Sequence, residues 1–273
     1  MAETVAAGVD RIKEAFDGAR REGRAALMPY MMGGFPDMAT SVVVADAYAE
    51  AGADLVELGV PFSDPLADGP VIHAAGTRAL AAGATLEGVL EICERLAEHM
   101  PVVPMIYANM ALARGAEGFA RLLADVGAAG AIIPDLPLGE EESLGEAMKE
   151  GGLAPVPLVA PTTPDERRRR ICERAIGFVY VVSDTRVTGE RDELPAGLEE
   201  LVGAVRQEAT VPAAVGFGIG TPDQAAAVGA IADGVIVGSR LVRAIAESDS
   251  PGAAATAVSE FIHAARDAMN RNK

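Results

Sequence analysis

Residues 213–240 read AAVGFGIGTPDQAAAVGAIADGVIVGSR, and this stretch contains every part of a repeating structural unit. A short apolar run, Ala213–Gly216, empties into a glycine-rich turn, GFGIG at 216–220. A Thr-Pro pair then opens a helical pattern over Pro222–Gly229, and a second apolar run, Gly234–Val237, ends in VGSR. The apolar runs are continuous rather than alternating, which is the pattern of parallel strands covered on both faces. Thr221 offers a hydroxyl cap, and Pro222 suits the first helical position, where no amide proton is missed.

The same rhythm extends back through the chain. It predicts earlier strands over 26–32, 54–60, 102–108, 131–134, 154–160 and 177–183. Helices are predicted over 41–51, 86–99, 117–126, 140–150, 165–175 and 197–208. Thr85 and the Thr163-Pro164 pair provide further helix starts, and Ala51-Gly52 and Ala129-Gly130 provide left-handed ends. Eight strand–helix units leave two architectures, a closed barrel or a doubly wound open sheet. The first strand is followed by MMGGFPD (31–37) and not by a GxGxxG fingerprint, which disfavours the open dinucleotide fold. The expected fold is therefore α/β, a single TIM (β/α)8 barrel domain spanning 1–273. An extra N-terminal helix carrying Val9, Ile12 and Phe16 on one face would cover the barrel floor. A short phosphate-binding helix would follow strand eight.

Composition narrows the function. The formal net charge is −17, so nucleic acid and anionic membrane are disfavoured as partners by long-range repulsion. The run Arg167–Arg170 sits beside Asp165, Glu166 and Glu173 and reads as a solvated helical face. Cys93 and Cys172 lack metal-ligand spacing and read as reduced thiols. The N-terminal segment carries Glu3 where a secretory signal would be basic, and no long apolar run is present. The expected location is cytoplasmic, with no metal.

In a barrel the chemistry sits at the C-terminal ends of the strands. The last three ends here are glycine-rich: VTG at 187–189, GFGIG at 216–220, and VGSR at 237–240. Glycine lets backbone approach a ligand closely, and a helix opening at Ser239 would aim free amides at an anion. Any one such loop is explained as well by the needs of a βα turn. Three adjacent loops and a helix start favour a phosphate monoester held by Gly189, Gly218, Gly238 and Ser239, without Lys or Arg.

Strand two carries Glu57 among apolar neighbours, and the loop that follows, 61–70, carries Asp64 and Asp68. An inward Glu near the barrel mouth would be desolvated and could act as acid or base near neutrality. A structural hydrogen-bonded carboxylate explains an isolated strand Glu equally well, and turn or cap chemistry explains the two aspartates. Composition does not choose between these readings.

The run ELGVPFSDPLADGP at 57–70 resembles, nearly residue for residue, the signature of the tryptophan synthase alpha subunit family. The resemblance extends along essentially the whole chain. Tyr107-Ala108-Asn109, Pro134-Asp135, Tyr180, Val187-Thr188-Gly189, Gly216-Phe217-Gly218 and Gly238-Ser239 follow in the family's order. It implies a carbon–carbon lyase of tryptophan biosynthesis that splits indole-3-glycerol phosphate into indole and glyceraldehyde 3-phosphate. On that resemblance Glu57 is the acid and base, and Asp68 is the ionised partner of the indole N–H. Tyr30, Met105, Tyr107, Tyr180 and Phe217 wall the indole pocket, and Thr188 orients Asp68 when its loop closes. It implies no cofactor in this chain and an alpha2-beta2 heterotetramer with a beta subunit that carries pyridoxal phosphate and receives indole through a tunnel. Pro61, Asp64, Asn109 and Asp135 would lie on that contact surface.

Three positions depart from the family's commoner pattern: Met32 where Thr is frequent, Phe35 where Asp is frequent, and Arg186 where Gly usually precedes Val-Thr-Gly. Two other functions compete. Another phosphate barrel, such as indole-glycerol-phosphate synthase or phosphoribosyl-anthranilate isomerase, is one; the synthase would carry lysines at strand ends, and none is found there. A non-catalytic activator of a beta subunit is the other, and the presence of both Glu57 and Asp68 weighs against it. His73, His99 and His263 read as unpaired helical residues.

Overall fold

The computed structural model describes residues 7–137, 139–140, 142–183, 195–216 and 218–271. Nine parallel strand segments follow one another in the chain: β1 (Ala26–Met32), β2 (Val56–Gly59), β3 (Val102–Met105), β4 (Gly130–Ile132), β5 (Ala154–Val156), β6 (Leu158–Val159), β7 (Val179–Val182), β8 (Ala213–Gly216) and β9 (Gly234–Val237). Their spatial order is β5-β4-β3-β2-β1-β9-β8-β7-β6. The two end segments, β5 and β6, are consecutive in sequence, so the ring runs through them and the fold is the TIM barrel.

The fifth strand, expected as one run over 154–160, is split at Pro157. Its first half pairs with β4 and its second half with β7. Proline has no amide to donate, while the Pro157 carbonyl still accepts from the Tyr180 amide at 2.9 Å.

The helices are α1 (Gly8–Arg21), α2 (Met38–Glu50), α3 (Pro70–Ala81), α4 (Leu86–Ala97), α5 (Ala108–Leu112), α6 (Ala116–Asp125), α7 (Glu142–Glu150), α8 (Asp165–Arg174), α9 (Leu198–Glu208), α10 (Pro222–Gly229), α11 (Ser239–Ala246) and α12 (Pro251–Arg271). The predicted starts at Thr85 and Thr221 are as expected. The Thr85 hydroxyl accepts from Gly88 N, and Thr221 forms a full capping box with Gln224. Thr163 does not cap α8; its hydroxyl turns back to accept from Ala160 N at 3.0 Å, and Pro164 occupies the cap position. Gly130 is not a helix end either. It lies in β4, where an added Cβ would fall 2.3 Å from the Ala154 carbonyl oxygen, and the reversal after α6 is made by Gly127 at φ 69°.

Two cores follow from strand geometry, because successive side chains point to opposite faces. Leu27, Met31, Leu58, Val179, Val215 and Val237 belong to the outer core, which also takes in the buried faces of the surrounding helices. Ala26, Met28, Leu55, Val103, Ile132, Val156, Phe178, Ala214 and Ile236 fill the barrel. Helix α1 closes the floor. Ile12 and Phe16 are buried in the barrel cluster, Val9 packs against it, and the Phe16 and Phe178 rings lie 5.8 Å apart. The Arg11 guanidinium ties the plug down, donating to the carbonyls of Gly127 and Met100 at 3.0 and 2.8 Å. Among the described residues no helix is long and apolar enough to cross a membrane. Cys93 and Cys172 are buried free thiols.

Candidate active site

The inward phase of each strand carries past the packed layers to the barrel mouth. On β2 it runs from Leu55 to Glu57 and Gly59, and on β1 from Met28 to Tyr30 and Met32. The same phase carries Val103 to Met105 on β3 and Phe178 to Tyr180 on β7. The ladder sets Tyr30 opposite Glu57 and Gly59 opposite Met105. Four predicted site residues on three adjacent strands and one across the barrel therefore converge by register alone.

Glu57 is 2% exposed, and its Oε2 has no hydrogen-bond partner among the described residues. Burial, with a smaller contribution from the Asp68 charge, pushes its carboxyl up to about 8. The group is therefore protonated at neutral pH and can release its proton within the physiological range.

Asp68 lies in the loop between β2 and α3. Gly69 caps that helix and Pro70 opens it, so the loop meets a stiff helix start. The Tyr107 hydroxyl donates to Asp68 Oδ1 at 2.9 Å and accepts from Ala67 N at 3.1 Å. Its ring stacks on Phe62 at 5.2 Å, so one tyrosine after β3 pins three residues of the facing loop. Desolvation raises the Asp68 carboxyl above its ordinary value, opposed by the Tyr107 hydrogen bond and by His73. His73, expected as an unpaired helical residue, acts on Asp68 through its charge. It stands in the first turn of α3, and only the helix begun at Pro70 brings it within electrostatic reach of Asp68.

Two tyrosines fill the mouth against glycines. A Cβ on Gly59 would fall 2.1 Å from the Tyr30 hydroxyl, and one on Gly216 would fall 2.2 Å from the Tyr180 hydroxyl. Both phenols are buried and held well above their ordinary range, chiefly by desolvation and with Glu57 contributing in each case.

Two strands round the ring from β2, Gly238 caps α11 and Ser239 opens it. The first amides of such a helix lack intrahelical acceptors and face any anion placed there. Gly218 adopts φ 81°, a conformation that favours glycine. Gly189, Thr188, Phe217 and the departure at Arg186 lie outside the described residues. Of the four positions expected on a partner surface, Asp64 and Asn109 are exposed, and Asp135 is half-buried with its Oδ1 accepting from Ala108 N at 2.8 Å at the start of α5. Pro61 is buried in this chain, with Gly76 beside it. Among the described residues no group of three side chains could hold a metal ion. A cleft between α7 and α8, lined by Leu144, Met148 and Ile171, contains neither carboxylate nor any part of the glycine grip.

A parallel barrel with a desolvated glutamic acid, an aspartate close enough to raise its pKa, and the start of a helix at the same mouth has the groups of an acid–base enzyme. The profile of the tryptophan synthase alpha chain family matches residues 16–270. The tryptophan synthase alpha chain of Synechococcus sp. (strain CC9902) is 49% identical over 245 residues, 89% of this chain and 91% of that one. That of Roseiflexus castenholzii is 46% identical over 261 residues, covering 94% of this chain and all of its own. A structure of Mycobacterium tuberculosis tryptophan synthase superposes with a TM-score of 0.88 at 37% identity, covering 95% of this chain and 98% of that one. The chain belongs to the tryptophan synthase alpha chain family. It is a carbon–carbon lyase of tryptophan biosynthesis, cleaving indole-3-glycerol phosphate by a retro-aldol reaction, and its family works with a beta subunit.

Proposed function

We propose that Glu57 and Asp68 divide the cleavage of indole-3-glycerol phosphate between them, Glu57 moving the protons and Asp68 holding the ring nitrogen. The observation that carries this reading is the Glu57 carboxyl, buried with one oxygen unpartnered, a setting that pushes its titration up to about 8. Glu57 gives its proton to the ring carbon that bears the side chain, making the ring an iminium cation. Asp68, ionised, accepts a hydrogen bond from the ring N–H and stabilises the positive charge there. The carboxylate left at Glu57 then takes the proton of the hydroxyl on the adjacent chain carbon. The carbon–carbon bond breaks, its electron pair returns to the ring to give neutral indole, and the chain carbon becomes the aldehyde of glyceraldehyde 3-phosphate. Glu57 ends the cycle protonated, as it began. Separate environments sustain the two roles: an apolar strand for Glu57, and a loop with a hydroxyl donor for Asp68.

Gly218, Gly238 and Ser239, with Gly189, would hold the phosphate through backbone amides, which suits a protein of net charge −17. Tyr30, Met105, Tyr107 and Tyr180, with Phe217, would wall the ring, and Thr188 would orient Asp68. The complex is read as an alpha2-beta2 heterotetramer located in the cytoplasm, with pyridoxal phosphate confined to the beta subunit and Asp64, Asn109 and Asp135 toward it. The test is a coupled assay of the purified chain, alone and with its beta subunit. Indole release that is slow alone and faster in the complex supports the reading; no release in either case overturns it.

A further inference from the structure

Tyr30 spans the distance between the two halves of the site. At its base, the Cβ, Cγ and Cδ1 atoms lie 3.6–3.9 Å from where a Cβ on Gly238 would stand, beside the start of α11. At its tip, the hydroxyl rests over Gly59, two residues beyond Glu57 on the same strand face. One ring thus reaches from the anion end of the mouth to the carboxylate end. The hydroxyl is buried, and its hydrogen bond among the described residues is to the Met32 Sδ at 3.9 Å. A thioether is a weak acceptor, so this donor gains little from its present partner.

With phosphate at the start of α11 and indole at the carboxylates, as proposed above, the hydroxylated three-carbon chain of the substrate would run along this ring. We propose that the Tyr30 hydroxyl hydrogen-bonds a hydroxyl of that chain and makes the site selective for a hydroxylated linker. This rests on the lyase reading above and adds to it a specificity-determining residue. The Asp68 and Glu57 charges both act on the Tyr30 phenol, which places it within their field. A neutral phenol in that position donates without competing for the protons that Glu57 moves.

The test is Tyr30→Phe, which removes one oxygen and forfeits only the thioether contact. Two quantities are compared: kcat/KM for indole-3-glycerol phosphate, and the Kd of an analogue whose three-carbon linker carries no hydroxyls. The expected result is a fall of about tenfold in kcat/KM, the scale of one neutral hydrogen bond, with the analogue's Kd unchanged within about twofold. Equal losses for both ligands would show a packing role and overturn the proposal, as would an unchanged kcat/KM. If the unsubstituted chain failed to release indole, the lyase reading itself would fall and this proposal with it, an outcome visible before any variant is made.

Discussion

The Tyr107 hydroxyl donates to Asp68 Oδ1 at 2.9 Å while accepting from the amide of Ala67 at 3.1 Å, so a residue after β3 holds the aspartate that follows β2. The bond favours the ionised carboxylate, countering the desolvation that raises it. Tyr107→Phe keeps the stack on Phe62 and removes the bond. Asp68 then titrates higher, so the acidic limb of the kcat/KM profile moves to higher pH, and activity at neutral pH falls about tenfold. A profile that keeps its acidic limb in place would show that this hydroxyl does not govern Asp68.

In the proposed mechanism Glu57 sets the opposite limb. It must hold its proton to begin the reaction, and its carboxyl lies at about 8. Activity should therefore decline as pH rises through that value, giving a bell whose acidic side belongs to Asp68 and whose basic side belongs to Glu57. A rate that stays flat from pH 7 to pH 10 would contradict the assignment.

The same group makes stability depend on pH. From its ordinary 4.5 up to about 8, the folded chain keeps the Glu57 proton that the unfolded chain has already released. Folding stability from this group is intact below the unfolded value and falls as pH rises through the window, by roughly 4–5 kcal/mol at its end. Glu57→Gln removes that dependence. The variant should resist denaturant better than the parent at pH 9 and show little difference at pH 5, measured by urea unfolding. Equal gains at both values would assign the effect to packing.

Much of this was legible before the structure. The continuous apolar runs located the strands along the chain, and Thr85 and Thr221 marked their helices because a cap is a local interaction between residues three apart. The split at Pro157 was not legible, since apolar composition alone cannot tell which neighbour a strand residue will pair with. His73 was legible as a helical residue, but where that helix begins was not, and with the start at Pro70 went the proximity of His73 to Asp68. Helix α12 lacked strong periodic contrast in an alanine-rich run. The carboxylates were visible as residue types, but the Tyr30–Gly59 and Tyr180–Gly216 contacts depend on register and ring direction across strands.

That register gives a packing prediction. A methyl group at position 59 would sit 2.1 Å from the Tyr30 hydroxyl and 2.6 Å from its Cζ, so the ring must move. Gly59→Ala should cost about 1–3 kcal/mol in stability and depress activity by displacing Tyr30. Adding Tyr30→Phe should relieve only part of the stability loss, because the ring carbon clashes as well as the oxygen. Strict additivity of the two changes in a double-mutant cycle would contradict the contact.

At the other end of the barrel, Arg24 is a structural counterpart to the site. Its side chain is 1% exposed, donates to both Asp54 oxygens, and shares Asp54 Oδ2 with Leu27 N at 2.7 Å. Arg24→Met leaves Asp54 without its cation and should cost about 3 kcal/mol while leaving KM unchanged. A variant that lost substrate affinity at unaltered stability would tie this pair to function instead.

The proposed mechanism turns on the Glu57 proton being the one delivered to the indole ring. Single-turnover cleavage of indole-3-glycerol phosphate by Glu57→Gln, with excess enzyme and binding measured in parallel, tests it without interference from product release. The expected result is a chemical step slowed by roughly 10²–10⁴-fold with substrate affinity preserved. A Glu57→Gln variant that cleaved its bound substrate at the parent rate would contradict it.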